Sequence, residues 1–243
     1  MQPLLSKNNP RIKELAELKK HPSPSAFLIE GYHMVEMALE AGLLDEVYAL
    51  KDPKLKDIPF TQISEAVLAK LSSTKTPEGI IGLAHIRLGL EPNPKKILLL
   101  DRLQDPGNVG TLTRSALAFG VDNIIFLNGT ASPLKEKTLM ASQGAIFKIH
   151  MANMNEEEAL DYISSSSLPF IATCLKGATS LEETDLPSSF ILGLGNEGQG
   201  MSEPLINAST LKIKIPIRGI DSLNVASSGA IMLYLLCRRE NHE

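Results

Sequence analysis

The stretch that decides the fold is residues 98–120, which read LLLDRLQDPGNVGTLTRSALAFG. An apolar run leads into a loop rich in Asp, Pro, Gly and Asn, and then into a helix-like segment that carries Arg114. The pattern predicts a buried strand, a loop and a helix from about Val109, with Asn108 as its N-cap residue. In open α/β sheets, ligands bind at the carboxyl ends of the strands, so a site is expected in this loop. On these residues alone, a capped helix with a surface arginine is an equally good interpretation.

Apolar runs of the same kind recur along most of the chain. They are ILLL (97–100), NIIFL (123–127), FKIHM (147–151), FIATCL (170–175), FILGL (190–194) and LKIKIPI (211–217). Strands buried on both faces have this composition, so the runs predict a mostly parallel sheet covered by helices. The intervening helices are expected near 109–119, 133–142, 155–166 and 202–208, with a last one from about Asn224 to Arg239.

The first part of the chain alternates shorter helical and strand-like segments. Helices are predicted at 10–19, 32–41 and 64–71, and strands at 27–31, 46–50 and 79–86. This order predicts a compact α/β unit of its own. The segment GLEPNPKK (89–96) follows, and its prolines are typical of a linker. The sequence therefore predicts two domains, 1–90 and 95–243.

Two further polar clusters follow apolar runs later in the chain. Residues 190–202 read FILGLGNEGQGMS, and residues 215–236 read IPIRGIDSLNVASSGAIMLYLL. The letters GLGNEG match a dinucleotide-binding pattern, but Gly200 interrupts the helix that must follow, which excludes a nicotinamide-dependent oxidoreductase. Residues 190–202 are instead interpreted as a glycine-rich loop around Glu197 whose backbone can approach a ligand closely. In the second, Ser222 or Asn224 caps a helix whose small residues admit a ligand or another helix.

Composition excludes several classes of protein. The chain has 243 residues, of which 43% are hydrophobic and 21% charged, so global disorder is excluded. Two cysteines cannot form a disulfide framework, and the scattered histidines predict no metal site. No apolar run approaches the roughly 20 residues that span a bilayer. We therefore expect a cytoplasmic protein with no membrane partner.

The net charge of −4 gives no general support for nucleic-acid binding. Its distribution is more informative, because residues 1–20 set five basic side chains against Glu14 and Glu17. The five are Lys7, Arg11, Lys13, Lys19 and Lys20. Such a segment could contact phosphates, and a solvated helix face explains it as well.

Taken together and in order, the three clusters resemble those of the SpoU (TrmH) family of RNA ribose 2′-O-methyltransferases. The motifs are D-P-G-N-V-G-T-L-x-R, G-N-E-G-x-G-M-S and I-P-I-x-G-x-x-S-L-N-V, within residues 95–239. Residues 1–90 resemble the substrate-recognition domain that often precedes the catalytic domain in this family. One departure is Ala226, which stands where many members carry serine.

The resemblance implies a mostly parallel α/β catalytic domain with a deep trefoil knot near its C-terminus, preceded by a smaller domain like a ribosomal protein. It implies S-adenosylmethionine as cofactor, RNA as substrate and a homodimer whose active site is completed across the interface. The implied catalytic residues are Arg114, Asn108, Glu197, Ser222 and Asn224. The implied cofactor-binding residues are Leu192, Gly193, Gly195, Ile215 and Leu223. The five basic residues of the leading segment are expected to bind RNA.

Arg114 is placed at the ribose 2′-hydroxyl by this resemblance. A guanidinium is a poor base because its pKa is very high, so we interpret Arg114 as orienting the target and stabilising alkoxide charge. The acceptor of the proton stays open. The fused N-terminal domain favours ribosomal over transfer RNA. A non-catalytic RNA-binding factor is the alternative, although it would not need the full polar set.

Overall fold

The structure is a computed structural model that describes residues 2–55, 58–175 and 177–237. The elements before residue 88 are α1 (Pro10–Lys20), β1 (Phe27–Glu30), α2 (Tyr32–Glu40), β2 (Leu44–Ala49), β3 (Phe60–Gln62), α3 (Glu65–Leu71) and β4 (Ile80–Ala84). They follow the predicted order, with the short strand β3 as an addition. Three residues are too few to show the alternation by which a strand is recognised.

The remaining elements are β5 (Lys96–Asp101), α4 (Pro106–Ala118), β6 (Asn123–Leu127), α5 (Glu136–Ser142), β7 (His150–Met154), α6 (Glu156–Ser165), β8 (Phe170–Thr173), β9 (Thr179–Ser180), β10 (Phe190–Gly195), α7 (Glu203–Ala208), β11 (Leu211–Lys214) and α8 (Val225–Cys237). The strand predicted at 147–151 is wrong in its start. Residues Ala145–Phe147 form a 3-10 helix after Gly144, which has φ of +81°, so the strand begins at His150. The predicted end of the last helix at Arg239 lies outside the described residues.

The chain divides into two compact units. The second unit holds the described residues of 88–133 and those from 149 onward. Its described strands form a seven-stranded sheet in the order β7-β6-β5-β10-β8-β11-β9, and every neighbouring pair is parallel. This confirms the predicted parallel sheet. Because parallel strands all end at one edge, the loops after β5, β6, β10 and β11 meet there.

Helices α4 and α8 pack closely against each other in this unit. A Cβ added at Gly229 of α8 would lie 2.3 Å from Leu112 Cδ2 of α4 and 2.7 Å from Leu194 Cδ1 of β10. A side chain at this position would require the ends of both leucine side chains to shift. Gly229 of α8 therefore lies in a contact with a helix of the same chain, one of the two uses the sequence left open.

The first unit holds the described residues up to Arg87 together with Leu134–Lys148. Its sheet has the order β1-β4-β2-β3, with only the β2–β3 pair parallel. The ring of Phe147 stacks on that of Phe27 with centroids 6.2 Å apart. A Cβ at Gly144 would lie 2.7 Å from Met37 Cγ. Residues 134–148, which the sequence analysis placed with the catalytic domain, thus pack with the first unit.

No helix among the described residues combines the length and the apolar character needed to cross a membrane.

Candidate active site

Helix α4 begins three residues earlier than the sequence suggests. Asp105 is its N-cap residue, with the Asp105 carboxylate accepting a hydrogen bond from Gly107 N at 2.7 Å, and Pro106 occupies the first turn. Proline is favoured there because its missing N–H would have no helical partner. The prediction of Asn108 as N-cap is therefore wrong. Its side chain lies within the first turn and is available for other contacts.

Glu197, in the loop after β10, reaches the start of α4. Its carboxylate accepts hydrogen bonds from the backbone N–H of Gln104 at 3.0 Å and of Asp105 at 3.3 Å, and from Asn108 Nδ2 at 3.1 Å. An anion at a helix N-terminus is favoured by the unpaired N–H groups and by the helix dipole. The glutamate therefore joins the loop after β10 to the loop after β5.

Partial burial acts to raise the pKa of Glu197. The hydrogen bonds from Gln104, Asn108 and Asp105 outweigh it, so the pKa lies below the usual value for glutamate. The carboxylate is accordingly ionised at neutral pH and is a weak base.

Asn224 adds the third segment to this arrangement. Its Nδ2 donates to Asn108 Oδ1 at 3.0 Å, and its Oδ1 accepts from the backbone N–H of Ala226 at 2.9 Å and of Ser227 at 3.2 Å. Asn224, rather than Ser222, is thus the residue that caps α8. The structure brings together Glu197, Asn108 and Asn224, which we call the polar triad. Ser222 is exposed two residues before Asn224 and has no hydrogen-bond partner in the described part of the chain.

Arg114 is an exposed side chain on α4, two turns beyond Asn108. Within residues 2–55, 58–175 and 177–237, no hydrogen bond or ion pair holds it. An arginine kept without an intramolecular partner has all five N–H donors free for an anionic or polar ligand. The structure leaves Arg114 outside the hydrogen-bonded triad.

The predicted cofactor-binding residues of β10 are fully engaged by the sheet. Leu192 and Gly193 pair with β5 on one side and β8 on the other, and both are buried. A Cβ at Gly195 would lie 2.0 Å from Met201 N. Glycine at position 195 is therefore required by the chain's own loop, which folds back onto the end of β10, before any contact with a cofactor is considered.

Asn196 fixes the shape of that returning loop. Its Oδ1 accepts from the backbone N–H of Gly198 and of Gln199, both at 2.9 Å, and its backbone exchanges two hydrogen bonds with Gly200. Asn196 was not among the site residues predicted from the sequence. Its position directly after Gly195 and two residues before Gly198, at the end of an apolar strand, is the signal that could have identified it.

The loop after β11 is built differently. Its predicted cofactor residues, Ile215 and Leu223, are half-buried. Among the described residues, no backbone N–H from 215 to 223 donates to another group of the chain. Unpaired backbone donors and acceptors beside apolar side chains suit an adenine and a ribose, which need both kinds of contact. These features of the loop after β11 suit the predicted cofactor site, and the roles of Ile215 and Leu223 in it stay predictions.

Asp101 and Arg102, at the end of β5, were also missed. Asp101 is 1% exposed and accepts hydrogen bonds from Arg102 Nε at 2.7 Å and from Ser202 N at 2.8 Å. A charged residue that ends the run ILLL at the carboxyl edge of the sheet was the available signal.

The leading basic residues lie in the first unit and differ in their surroundings. Arg11 donates to Glu14 at 2.7 Å, to Glu46 at 2.5 Å and to Tyr48 at 3.1 Å. Lys20 pairs with Glu17 at 2.7 Å. Lys7 and Lys13 are exposed, and Lys19 Nζ donates to a backbone carbonyl of the same unit at 2.5 Å. Lys13, Lys19 and Lys20 line a cavity of about 870 Å³ within this unit.

Residues 95–234 match the SpoU rRNA methylase family, and residues 9–82 match the MRM3-like substrate binding domain. The chain belongs to the SpoU rRNA methylase family. Over 97% of its length, this SpoU protein is 32% identical to the 23S rRNA (guanosine(2553)-2′-O)-methyltransferase RlmP of Bacillus subtilis (strain 168), 99% of which is covered.

Two solved structures share the fold of this SpoU protein. An AdoMet-bound rRNA methyltransferase from Sinorhizobium meliloti matches with a TM-score of 0.89 and 27% identity, over 98% of each chain. An RNA 2′-O ribose methyltransferase matches with a TM-score of 0.81 and 34% identity, over 99% of this chain and 100% of that one. The predicted family, fold class, cofactor and enzyme class, an S-adenosylmethionine-dependent RNA 2′-O-methyltransferase, are confirmed. The knot, the dimer and the roles of single residues stay predictions.

Proposed function

We propose that this protein methylates the 2′-hydroxyl of one nucleotide in 23S ribosomal RNA. The polar triad carries the proposal, because it fixes the start of α4, the loop after β10 and the start of α8 around one place at the carboxyl edge of the sheet. The relative RlmP acts on 23S rRNA, and residues 9–82 match a substrate-binding domain, which supports a ribosomal target.

Methyl transfer forms a bond from the ribose oxygen to carbon, breaks the carbon–sulfur bond of the donor, and releases one proton. S-adenosylmethionine supplies the methyl group as a sulfonium when bound. The chain's task is then alignment, because an in-line displacement depends mainly on holding donor and acceptor in place. We assign the acceptor side to Arg114, whose free guanidinium can hold the target phosphate and ribose and stabilise alkoxide charge.

The polar triad has a positioning role in this proposal. Glu197 accepts hydrogen bonds from three donors and its pKa is lowered, so it holds the loops in position and is not the proton acceptor. Ser222 is exposed beside the triad and can contact the substrate. The backbone of the loops at 193–198 and 215–223 holds the cofactor, with Ile215 and Leu223 beside its adenosyl group.

We assign RNA recognition to the first unit. Lys7 and Lys13 are exposed and available to phosphates, whereas Arg11 is committed to Glu14 and Glu46. Lys19 and Lys20 border the same cavity as Lys13 and can add to the contact when they leave their present partners. We place the protein in the cytoplasm, where the RNA of bacterial ribosomes is modified.

We also propose a homodimer that uses the outer face of α8. Ile231 and Tyr234 on that helix are 38% and 54% exposed, and Ile220 in the preceding loop is 58% exposed. Ile231 and Tyr234 are three residues apart on one helix and therefore share a face, and exposed apolar faces mark interaction surfaces. Sedimentation of the wild type and of Ile231→Asp would test the assignment, with a dimer expected only for the wild type.

The function is tested with an in vitro transcript of 23S rRNA and with in vitro transcripts of tRNAs. Each RNA is incubated with the protein and S-adenosylmethionine labelled in its methyl group. We expect label in 23S rRNA at one nucleotide, located by the block that a 2′-O-methyl group places on alkaline cleavage. Label in tRNA alone would overturn the ribosomal target. RNA binding without label in either transcript would overturn catalysis and support a non-catalytic factor.

A further inference from the structure

Arg102 is a second arginine at the carboxyl edge of the sheet, directly after β5. It makes a two-point contact with Asp101, from Nε to Oδ1 at 2.7 Å and from Nη2 to Oδ2 at 3.1 Å. Asp101 is 1% exposed, while the arginine side chain is 37% exposed. The buried carboxylate thus holds one edge of the guanidinium and leaves the rest toward solvent. These hydrogen bonds, together with the negative charges of Asp101 and Glu156, raise the pKa of Arg102 against the opposing effect of burial.

The backbone of Arg102 is in the left-handed region, with φ of +57°. A side chain with a Cβ adopts this conformation at a cost that glycine avoids. Strain of this kind is kept where the surrounding structure enforces it, and it occurs often at functional sites. Glycine would be the easier residue for the backbone here, but it could not make the two-point contact with Asp101.

The contacts of Arg102 place it beside the polar triad. Its carbonyl accepts from Asn196 Nδ2 at 2.8 Å and from Gln104 Nε2 at 3.2 Å. Gln104 also donates its backbone N–H to Glu197 at 3.0 Å. A Cβ at Gly129, in the loop after β6, would lie 3.3 Å from Arg102 Cγ. The arginine therefore stands where the loops after β5, β6 and β10 meet.

The outward edge of the guanidinium is free. Nε and Nη2 are used by Asp101, and Nη1 has no hydrogen-bond partner in the part of the chain that the structure describes. A planar guanidinium fixed on one edge by a carboxylate is pre-organised to receive an anion on its other edge. The anion nearest to an RNA ribose is its own backbone phosphate.

We propose that Arg102 binds a backbone phosphate of the RNA strand next to the target ribose through Nη1. The contact fixes the register of the strand relative to Arg114, so Arg102 is a positioning residue. The inference rests on the proposed function, since it needs RNA as the substrate.

The test compares full-length wild type, Arg102→Gln, Arg102→Lys and Lys95→Gln on a 23S rRNA transcript. Lys95 is an exposed cation at the opposite, amino end of β5 and serves as the matched control. For Arg102→Gln we expect the KM for RNA to rise about tenfold and the slope of log Kd against log salt to fall by about one. The kcat and the Kd for S-adenosylmethionine should stay within about twofold of wild type. Arg102→Lys should keep the salt slope of wild type and have a KM for RNA between those of wild type and Arg102→Gln. Lys95→Gln should match wild type in both quantities.

Since Arg102→Gln leaves the buried Asp101 carboxylate without its charged partner and with only the hydrogen bond from Ser202 N, the double variant D101N/R102Q is measured beside it to separate folding from binding. If the folded variants keep the salt slope of wild type and lose only thermal stability or kcat, Arg102 has a purely structural role and the inference is overturned. A wild type that binds 23S rRNA without methylating it overturns the proposed function alone, because the salt slopes still decide the role of Arg102. A wild type that neither binds nor methylates the transcript overturns both.

Discussion

Helices α1 and α4 start in the same way and use their arginines differently. Each has an Asn or Asp N-cap followed by proline, at Asn9 and Asp105 respectively. Arg11 of α1 is tied to Glu14, Glu46 and Tyr48 within the first unit. Arg114 of α4 has no partner in the described part of the chain.

The difference shows how far the local charge of a sequence can predict which residues bind RNA. The leading segment was singled out because its basic residues outnumber its acidic ones, but Glu46 neutralises Arg11 from a strand far along the chain. Arg114 was singled out by the order of residues around it, and, unlike Arg11, it has no partner in the described part of the chain. A local count of charges cannot see partners that the fold supplies, whereas a motif that matches a whole loop already reflects the fold.

The largest effect is expected at the free arginine. Arg114→Ala should lower the rate of methyl transfer by at least about 100-fold, since it removes donors that act on the developing charge. The thermal midpoint and the Kd for S-adenosylmethionine should stay unchanged, because the side chain is exposed and unpartnered. Single-turnover methylation and calorimetric titration measure both. Arg114→Lys, which keeps the charge without the fork, should be intermediate. A rate for Arg114→Ala above about a tenth of wild type would contradict the assignment.

A second test contrasts two glycines of the loop after β10. Gly195→Ala should lower the thermal midpoint by about 5 °C, because its Cβ would meet Met201 N at 2.0 Å. It should weaken cofactor binding as well, since the loop must move. At Gly198 a Cβ would meet only Asn196 Oδ1, at 3.6 Å, so Gly198→Ala is the control and should melt like wild type. Equal melting of the two variants would show that the close approach is not required.

Glu197→Gln should have a smaller effect, with activity reduced about tenfold, because the amide keeps the shape but its NH₂ faces one or two of the three donors that the carboxylate accepts from. The folded-state pKa of Glu197 is lowered, so its contribution to stability is present above the ordinary glutamate pKa and is lost as pH falls through the lowered value. The difference in thermal midpoint between wild type and Glu197→Gln should therefore shrink on going from about pH 7 to about pH 3. A difference that stays constant over this range would refute the ionised network.

The smallest effects are expected in α1, where the helix comparison can be checked directly. Arg11→Gln should lower the free energy of unfolding by about 1 kcal/mol and leave the salt slope of RNA binding unchanged, because each of its three guanidinium nitrogens already has a partner, in Tyr48, Glu14 and Glu46. Lys13→Gln should do the reverse, with unchanged stability and a slope reduced by up to about one. Urea unfolding and filter binding at several salt concentrations measure the pair. A slope change in Arg11→Gln equal to that in Lys13→Gln would end the distinction between the two residues.

Much of the second unit was predictable from its apolar runs, because strands buried on both faces need such runs. The two-residue strand β9 and the 3-10 helix before β7 were not, since neither leaves a periodic pattern. The polar triad was predictable as a set of residues but not as a geometry. Asn108 was taken for a cap, and only the structure shows that Asp105 has that role and frees Asn108 to contact Glu197 and Asn224.

Gly195 and Arg102 show where prediction from the sequence ends. Gly195 is required by the backbone of Met201, which follows a loop whose path no local pattern gives. Arg102 depends on Asp101, Asn196 and Gly129, and these contacts exist only once three loops have met. The contacts of both residues are determined by tertiary structure, which local sequence patterns do not reveal.

The division of the first unit between residues up to Arg87 and Leu134–Lys148 has a consequence for biosynthesis. A nascent chain that has left the ribosome only as far as Arg87 lacks Gly144 and Phe147, so Met37 and Phe27 are still uncovered on those sides. At about 5–20 residues per second, the missing segment emerges about 3–12 seconds later. During that interval the unit is an open target for proteases and chaperones. Stalled nascent chains should therefore become resistant to brief proteolysis only when Lys148 has cleared the exit tunnel.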